Sequence, residues 1–574
     1  MLFEAVGAGV AAAGESGGVV EAVVGQAPTE RSPALEAEAA VGGQAADATD
    51  RAERPRKRAG GRAARIALRD SGPATPPIWR GMEGGSYKPL TDHEVERIHE
   101  ASLHLLETVG MADPIDEWRD RVLEAGGWMT DDGRLAFPRG LVEDCIAKAG
   151  RGFSVHGRNP RHDLDVSGSR VHLGGGSATV EILDVYSNQF RETQLLDLYD
   201  ITRLEDTLDN MHFVIRACIA RDMIEAEDID INTAFAIMAG TSKHFITSFF
   251  QPEHLERAVA MFDMSLGGDG SGEKWRRRPF AGAIVTFVVP PMRFAQDSCR
   301  VLDAAARNDM PAILLSCTQA GATAPASLAG TLAQGNAEVL AALTAMNLFQ
   351  PGHPLFMGSW PFVVDLRTGA FVGGSGEMGL LAAGAAQLAR FYDIPSSVAS
   401  GMSSSKQPDL QAGWEKGYLA TLPALAGANM ITQTTGILAD IMACSQESFV
   451  LDTDLLGGVQ RAVRGIEVSD ETLATEVITE VVQGPGHFLG HDQTLELMER
   501  EYVYPELADR SSIAEWIDSG RDIRERGRER LVEVLSTHYP DHIDPADDAR
   551  IREAFDIRLA PEDMRPGNGR WAPS

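Results

Sequence analysis

From about residue 211 onward, short apolar runs alternate with stretches of helical periodicity. The runs are rich in β-branched and aromatic residues and span 212–219, 244–250, 283–289, 312–317, 355–360, 397–401 and 430–438. Between them, 229–239, 253–266, 295–308, 326–349, 377–392 and 410–428 carry apolar residues at helical spacing. Strand alternating with helix predicts parallel strands joined by right-handed crossovers. Seven runs are one short of the eight that close a (β/α)8 barrel. The eighth is expected either before the series, near Val171, or after it, at 478–482. The predicted class is therefore α/β, a TIM barrel with an N-terminal helical and β extension and a C-terminal helical tail. An open doubly wound sheet is the alternative. It is disfavoured because no strand is followed by the G-x-G-x-x-G turn.

Upstream, Thr91 to Glu94 has the T-x-x-E capping-box spacing, followed by Val95, Ile98, Leu103 and Leu106 at helical intervals. Residues 170–173 alternate like a strand and run into Gly174, Gly175 and Gly176. The segments are thus a low-complexity tail at 1–78, an N-terminal part at 79–210, a barrel core at 211–500 and a C-terminal extension at 501–574. The tail is rich in Ala, Gly and Glu, has a basic cluster at 51–69, and is expected to be disordered. Glu4 and Glu15, with no basic segment ahead of them, do not fit a signal peptide.

Charge narrows the function. With 83 acidic and 52 basic side chains, the net charge is −31. That field has the wrong sign for a nucleic-acid backbone or an anionic membrane. No apolar stretch reaches the roughly 18–20 residues of a membrane span. The five cysteines form no C-x-x-C pair, so neither a disulfide framework nor a structural zinc is expected. A reducing cytoplasm is the expected compartment.

In such a barrel the chemistry lies at the C-terminal ends of the strands. The residues ending each run are Arg221 and Asp222, 249–251, Pro290 and Pro291, Thr318 and Gln319, 358–361, 402–406 and 432–435. They are rich in amides, hydroxyls and aromatics and poor in nucleophile–base pairs. Gly373 to Gly376 opens a helix, but Glu377 follows where a phosphate loop has Lys-Ser/Thr. His487 and His491 stand four apart among glycines, which do not support the helix that a metal clip needs. Trp360 ends a strand and can face a cation across its ring.

Several longer motifs carry a family likeness. They are Gly376-Glu377-Met378, then 386–392, 405–416 and 425–429, with 365–370, 486–494 and 504–507 around them. In order and spacing these resemble the trimethylamine methyltransferase superfamily over about residues 85–540. The resemblance implies a (β/α)8 barrel that moves a methyl group from a methylated amine to a corrinoid on a separate small protein. No pyrrolysine is present, which resembles the branch that demethylates quaternary amines such as glycine betaine. The chain departs from the family at Thr432-Gln433, where many members have His-Gly, and at Gln493, where a second histidine is common.

Such a reaction needs no general acid or covalent nucleophile, because a quaternary ammonium leaves as a neutral amine and the corrinoid brings the nucleophile. On this reading no catalytic side chain is assigned. Trp360 is the candidate cation–π wall. Asp365 and Glu377 are candidates to balance the ammonium, and Thr432, Gln433 and His487 to bind a carboxylate or a corrinoid edge. Gly358, Gly401, Ser403 and Ser405 are the candidates for corrinoid contact. No metal site is expected, and assembly into a homo-oligomer is left open. Two other readings remain: an aldolase or lyase with Lys406 as Schiff base, and a non-catalytic betaine-binding protein.

Overall fold

The computed structural model describes residues 76–571, which fall in one compact unit. The tail expected to be disordered, with its basic cluster, lies outside the described residues except for 76–78. The fold is mixed α/β with parallel sheet at its centre. Eight parallel strands occur in chain order: β1 (Arg170–Leu173), β2 (Phe213–Ile215), β3 (His244–Thr247), β4 (Ala281–Thr286), β5 (Ala312–Ser316), β6 (Leu355–Ser359), β7 (Ser397–Ala399) and β8 (Met430–Thr432). A helix follows each: α1 (Leu195–Thr207), α2 (Ala226–Gly240), α3 (Pro252–Ser265), α4 (Gln296–Arg307), α5 (Leu328–Phe349), α6 (Gly376–Phe391), α7 (Leu410–Ala426) and α8 (Gln446–Arg464). Strands β2 to β6 form one sheet in sequence order, and β1, β8 and β7 lie side by side in another. Single parallel bridges, Gly174 to Phe213 and Met357 to Ser396, join the two at both seams.

The eighth strand is the earlier of the two expected ones, since β1 pairs in parallel with β8. The later one is overturned: 478–482 lies inside the helix Thr475–Gln483, whose apolar residues serve a helix face. Most expected runs also overshoot. The first ends at Ile215 rather than 219, and the last at Thr432 rather than 438. The surplus apolar residues build loops and small antiparallel pieces instead. Ile437–Leu438 and Ala443–Cys444, which follow β8, join Glu181–Leu183 and Phe190–Glu192, which follow β1, in a four-stranded sheet. Both pairs follow strand C-terminal ends, so this sheet borders that end of the parallel strands.

The N-terminal part docks as helical packing predicts. The helix Asp92–Thr108 starts on a capping box in which Thr91 and Glu94 satisfy each other's backbone N–H. Ser102 on its buried face donates to Ala333 O of α5 at 2.9 Å. At the other end of the strands, the hairpin of Ser154–Val155 and Leu164–Asp165 is held by two buried histidines. His244, the first residue of β3, bonds His156 O at 2.8 Å, and His172 of β1 bonds Asp165 O at 2.8 Å. Among the described residues, no helix is long and apolar enough to cross a membrane.

Candidate functional site

Strand register separates the two faces of the β2–β6 sheet. Thr286 pairs with Leu315 and Leu315 with Gly358, so these share a face. Cys317 and Trp360, two residues further along β5 and β6, fall in the same alternation. The opposite face meets α5. Ser316 donates to Glu338 Oε2 of that helix at 2.6 Å, and a Cβ on Gly335 would lie 3.0 Å from Ser359 Oγ and 3.3 Å from Thr318 Oγ1. Trp360 therefore lies on the helix-free face, together with Ile284, Thr286 and Cys317.

Accessibility marks the same face. Almost every residue of β2 to β6 is buried, yet Ile284, Thr286, Cys317 and Ser248 just past β3 keep accessible surface. Ser248 follows Ile246, which shares a register row with Gly282, so it too belongs to this alternation. The four positions share one face, toward the strand C-terminal ends. None of the four is charged: burial pushes the Cys317 thiol up to about 12, which keeps it protonated and unreactive. Trp360 is 5% exposed and its indole N–H donates to Ser397 Oγ at 3.4 Å, fixing the ring between β6 and β7. Among the described residues no Lys or Arg covers its face.

The β8 end supplies amides and hydroxyls. Thr432 is buried and donates to Val398 O at 3.2 Å. Gln433 is 1% exposed and holds a left-handed backbone, φ 63°. Its amide N–H donates to Ser177 Oγ at 3.2 Å, while its Oε1 has no partner. A buried amide oxygen without a donor is costly, and native sites keep such an atom where something else completes it.

Other expectations are corrected. Asp365 cannot balance an ammonium: it closes a hairpin turn, pairs with Arg367 at 2.7 Å, and this partner pulls its carboxyl down to about 2. Glu377 is exposed in the first turn of α6, where its charge favours the helix N-terminus. His487 is exposed between the helices Thr475–Gln483 and Asp492–Arg500, and His491 caps the second of these. Gly358 and Gly401 are enclosed rather than open to a corrinoid. A Cβ on Gly358 would fall 2.5 Å from Ile313 Cγ2, and one on Gly401 2.8 Å from Thr434 Cα. Ser403 and Ser405 are buried, with Ser403 Oγ spent on Glu415 Oε2 at 2.6 Å and Ser405 Oγ accepting from Gln407 N. Lys406 is exposed and its ammonium sits on Ser404 O at 2.6 Å and 3.5 Å from Asp440. A Schiff-base lysine requires a desolvated amine, so this arrangement argues against the aldolase reading.

The strand ends also carry Ser177, Ser248, Thr286 and Cys317, which apolar periodicity alone does not single out. The expected first run reaches 219, which places Arg221 and Asp222 at its end, whereas the strand stops at Ile215. In the structure these two serve the surface, Arg221 pairing with Glu192 at 2.9 Å and Asp222 accepting from Leu195 N at 3.0 Å. Thr286 and Cys317 emerge only from the register between strands, because alternation within one run does not say which residues of different strands share a face.

Comparison with known proteins adds an independent line. The family model for trimethylamine methyltransferase (MTTB) matches residues 58–560. The trimethylamine methyltransferase MttB of Desulfitobacterium hafniense is 32% identical over 462 residues, covering 80% of this chain and 92% of its own. A glycine betaine methyltransferase of the same species is 30% identical over 471 residues, covering 81% and 96%. The MttB of Methanosarcina thermophila is 31% identical over 471 residues, again covering 81% and 96%.

Proposed function

The chain belongs to the trimethylamine methyltransferase family, and from that premise we propose that it moves a methyl group from a quaternary amine of the betaine type to the Co(I) corrinoid of a separate protein. We also propose that its eight parallel strands close into a (β/α)8 barrel. The cyclic strand order, with a parallel bridge at each seam, supports closure.

One observation carries the functional reading: the accessible positions on the helix-free face, Ser248, Ile284, Thr286 and Cys317, are uncharged, and the buried Trp360 lies in the same alternation. Carbonyl or acyl chemistry would need an activated nucleophile and a base there. Methyl transfer from an ammonium needs neither, because the leaving amine is neutral. The corrinoid, when its carrier docks, supplies the nucleophile. This chain's residues bind and orient the cation and keep water from it. A neutral Cys317 and the hydroxyls of Ser248 and Thr286 suit that task, since none of them competes for the methyl group. The indole face of Trp360 is the wall for the cation.

The reading is tested by mixing the full chain with Co(I) cobalamin or the reduced carrier and a panel of methylated amines. Methylcobalamin should form with at least one quaternary amine. Failure with every quaternary amine and with trimethylamine would remove the assignment. Within this assay Trp360→Ala should lower kcat/KM by about 5- to 30-fold, the equivalent of about 1–2 kcal/mol of cation–π attraction. Trp360→Phe, which keeps a weaker π face, should lose less. Equal kcat/KM in both variants and the wild type would take Trp360 out of the site.

A further inference from the structure

We propose that the segment 466–504, which follows α8, is the contact face of a two-fold dimer of this chain. The proposal does not depend on the methyl-transfer reading.

Pattern and burial disagree along this segment. It holds the helices Asp470–Leu473, Thr475–Gln483 and Asp492–Arg500, and of their residues only Val481 is buried. At 9 residues each, the latter two fall short of the roughly 12–15 at which a helix holds by itself in water, so they depend on packing an apolar face. That face is only half used. On Thr475–Gln483, Val481 is buried and Val477 half-buried, while Ile478 and Val482 on the adjoining side are exposed. Six apolar side chains of the segment, Ile466, Val468, Val482, Leu489, Tyr502 and Tyr504, keep between 60% and 89% of their surface. Together they present on the order of 900 Å², and a stable interface takes about 800 Å² from each partner. The segment holds together as one piece. Arg500 pairs with Glu467 and Glu471 at 3.6 Å, His491 lies 3.8 Å from Glu480, and Arg461 and Arg464 of α8 clamp Glu501 at 3.0 and 2.8 Å.

Position and charge decide the partner. Arg464 ends α8 and donates to Pro77 O at 3.2 Å, with its guanidinium over the Trp79 ring at 5.7 Å. The next residue, Arg80, donates to Arg161 O at 2.8 Å, in the hairpin at the strand N-terminal ends. The segment is therefore anchored at the end of the strands opposite Trp360. A carrier that has to reach the strand C-terminal ends cannot use it. Nine Asp and Glu against Arg500 alone exclude an anionic membrane or a nucleic acid. A second copy offers the same apolar area, and homodimers most often close by a contact of one patch with itself. Glu467, Glu471 and Glu501 are already neutralised within the chain. The remaining acids meet like charge across the rim, so association should tighten as salt rises.

The experiment is sedimentation equilibrium of the full chain over a range of concentrations, at low and at high salt. A dimer should form, and its Kd should fall as salt rises. The double variant Val482→Glu with Leu489→Glu should weaken it by about 100-fold or more, because the contact would strand the new carboxylates of both copies. Both side chains are exposed in the single chain, which leaves its own packing intact. Ile224→Glu, exposed in the loop after β2 and outside the segment, should leave the dimer unchanged. Hydrogen exchange on the wild type gives a reading that needs no variant: amides of 475–483 and 492–500 should gain protection as the protein is concentrated. A wild type that stays monomeric overturns the inference. So does a dimer that survives the double variant, one that Ile224→Glu breaks equally, or one that brings no protection to those helices. Association only with a basic partner, weakening as salt rises, would give the face to that partner and overturn the second copy.

Discussion

Lys416→Met is expected to destabilise the protein by about 3–5 kcal/mol, the usual effect of stranding one member of a buried ion pair. Lys416 on α7 is fully buried and its ammonium pairs with Asp452 of α8. The same carboxylate oxygen accepts from Gly436 N at 2.8 Å. Gly436 turns the chain just after β8 at φ 76°, against the Phe449 ring, where a Cβ would lie 2.1 Å away. The pair thus ties two helices to the loop that follows Gln433. Burial already raises the Asp452 pKa, opposed first by Lys416. Without the lysine the folded-state pKa rises further above its unfolded value. The variant should then keep more of its stability at low pH and lose it as pH rises above the ordinary carboxylate range. Denaturant unfolding at two pH values measures this, and the double variant Lys416→Met with Asp452→Leu should recover most of the loss. A Lys416→Met protein as stable as wild type at high pH would show that the pair contributes nothing.

The second large effect is acid sensitivity. Burial holds the imidazoles of His172 and His244 down at about 4, against a normal value near 6.5. Both are neutral in the folded protein and fasten the hairpin at the strand N-terminal ends. Their folded pKa is depressed, so they carry no penalty above about pH 6.5. Below it the unfolded chain binds protons that the folded chain refuses, and stability is lost as pH falls toward 4. A shift of this size corresponds to about 3 kcal/mol per histidine as an upper bound. Unfolding free energy measured between pH 7 and pH 4 should fall steeply, and His244→Gln should flatten the fall. A profile that stays level down to pH 4 in the wild type would contradict this account of the two histidines.

Much of the fold was legible because periodicity is a property of the chain itself. The helix predicted at 253–266 is Pro252–Ser265, and that at 326–349 is Leu328–Phe349. Strand ends were harder. Apolar residues past Ile215 and Thr432 are buried too, in loops and in the bordering sheet, so hydrophobicity alone does not mark where the ladder stops. That error of a few residues decided which site residues were seen. Trp360 was found because an aromatic at the end of a run is conspicuous. Arg221 and Asp222 stand in for strand-end residues only because the first apolar run continues past Ile215. Asp365 was misjudged although its partner stands two residues on: an Asp-x-Arg turn neutralises itself locally. Gln433 and Ser177 are 256 residues apart, and pairings at such separation become visible only once β1 and β8 lie side by side.

The central claim is methyl transfer to cobalt, and a single labelled turnover tests it most directly. Glycine betaine carrying 13C in its N-methyl groups is mixed anaerobically with the full chain and a stoichiometric Co(I) corrinoid. The account predicts one labelled methyl on cobalt for each dimethylglycine released, with no turnover when the chain is omitted. Absence of label on cobalt from glycine betaine, from any other quaternary amine and from trimethylamine would contradict it.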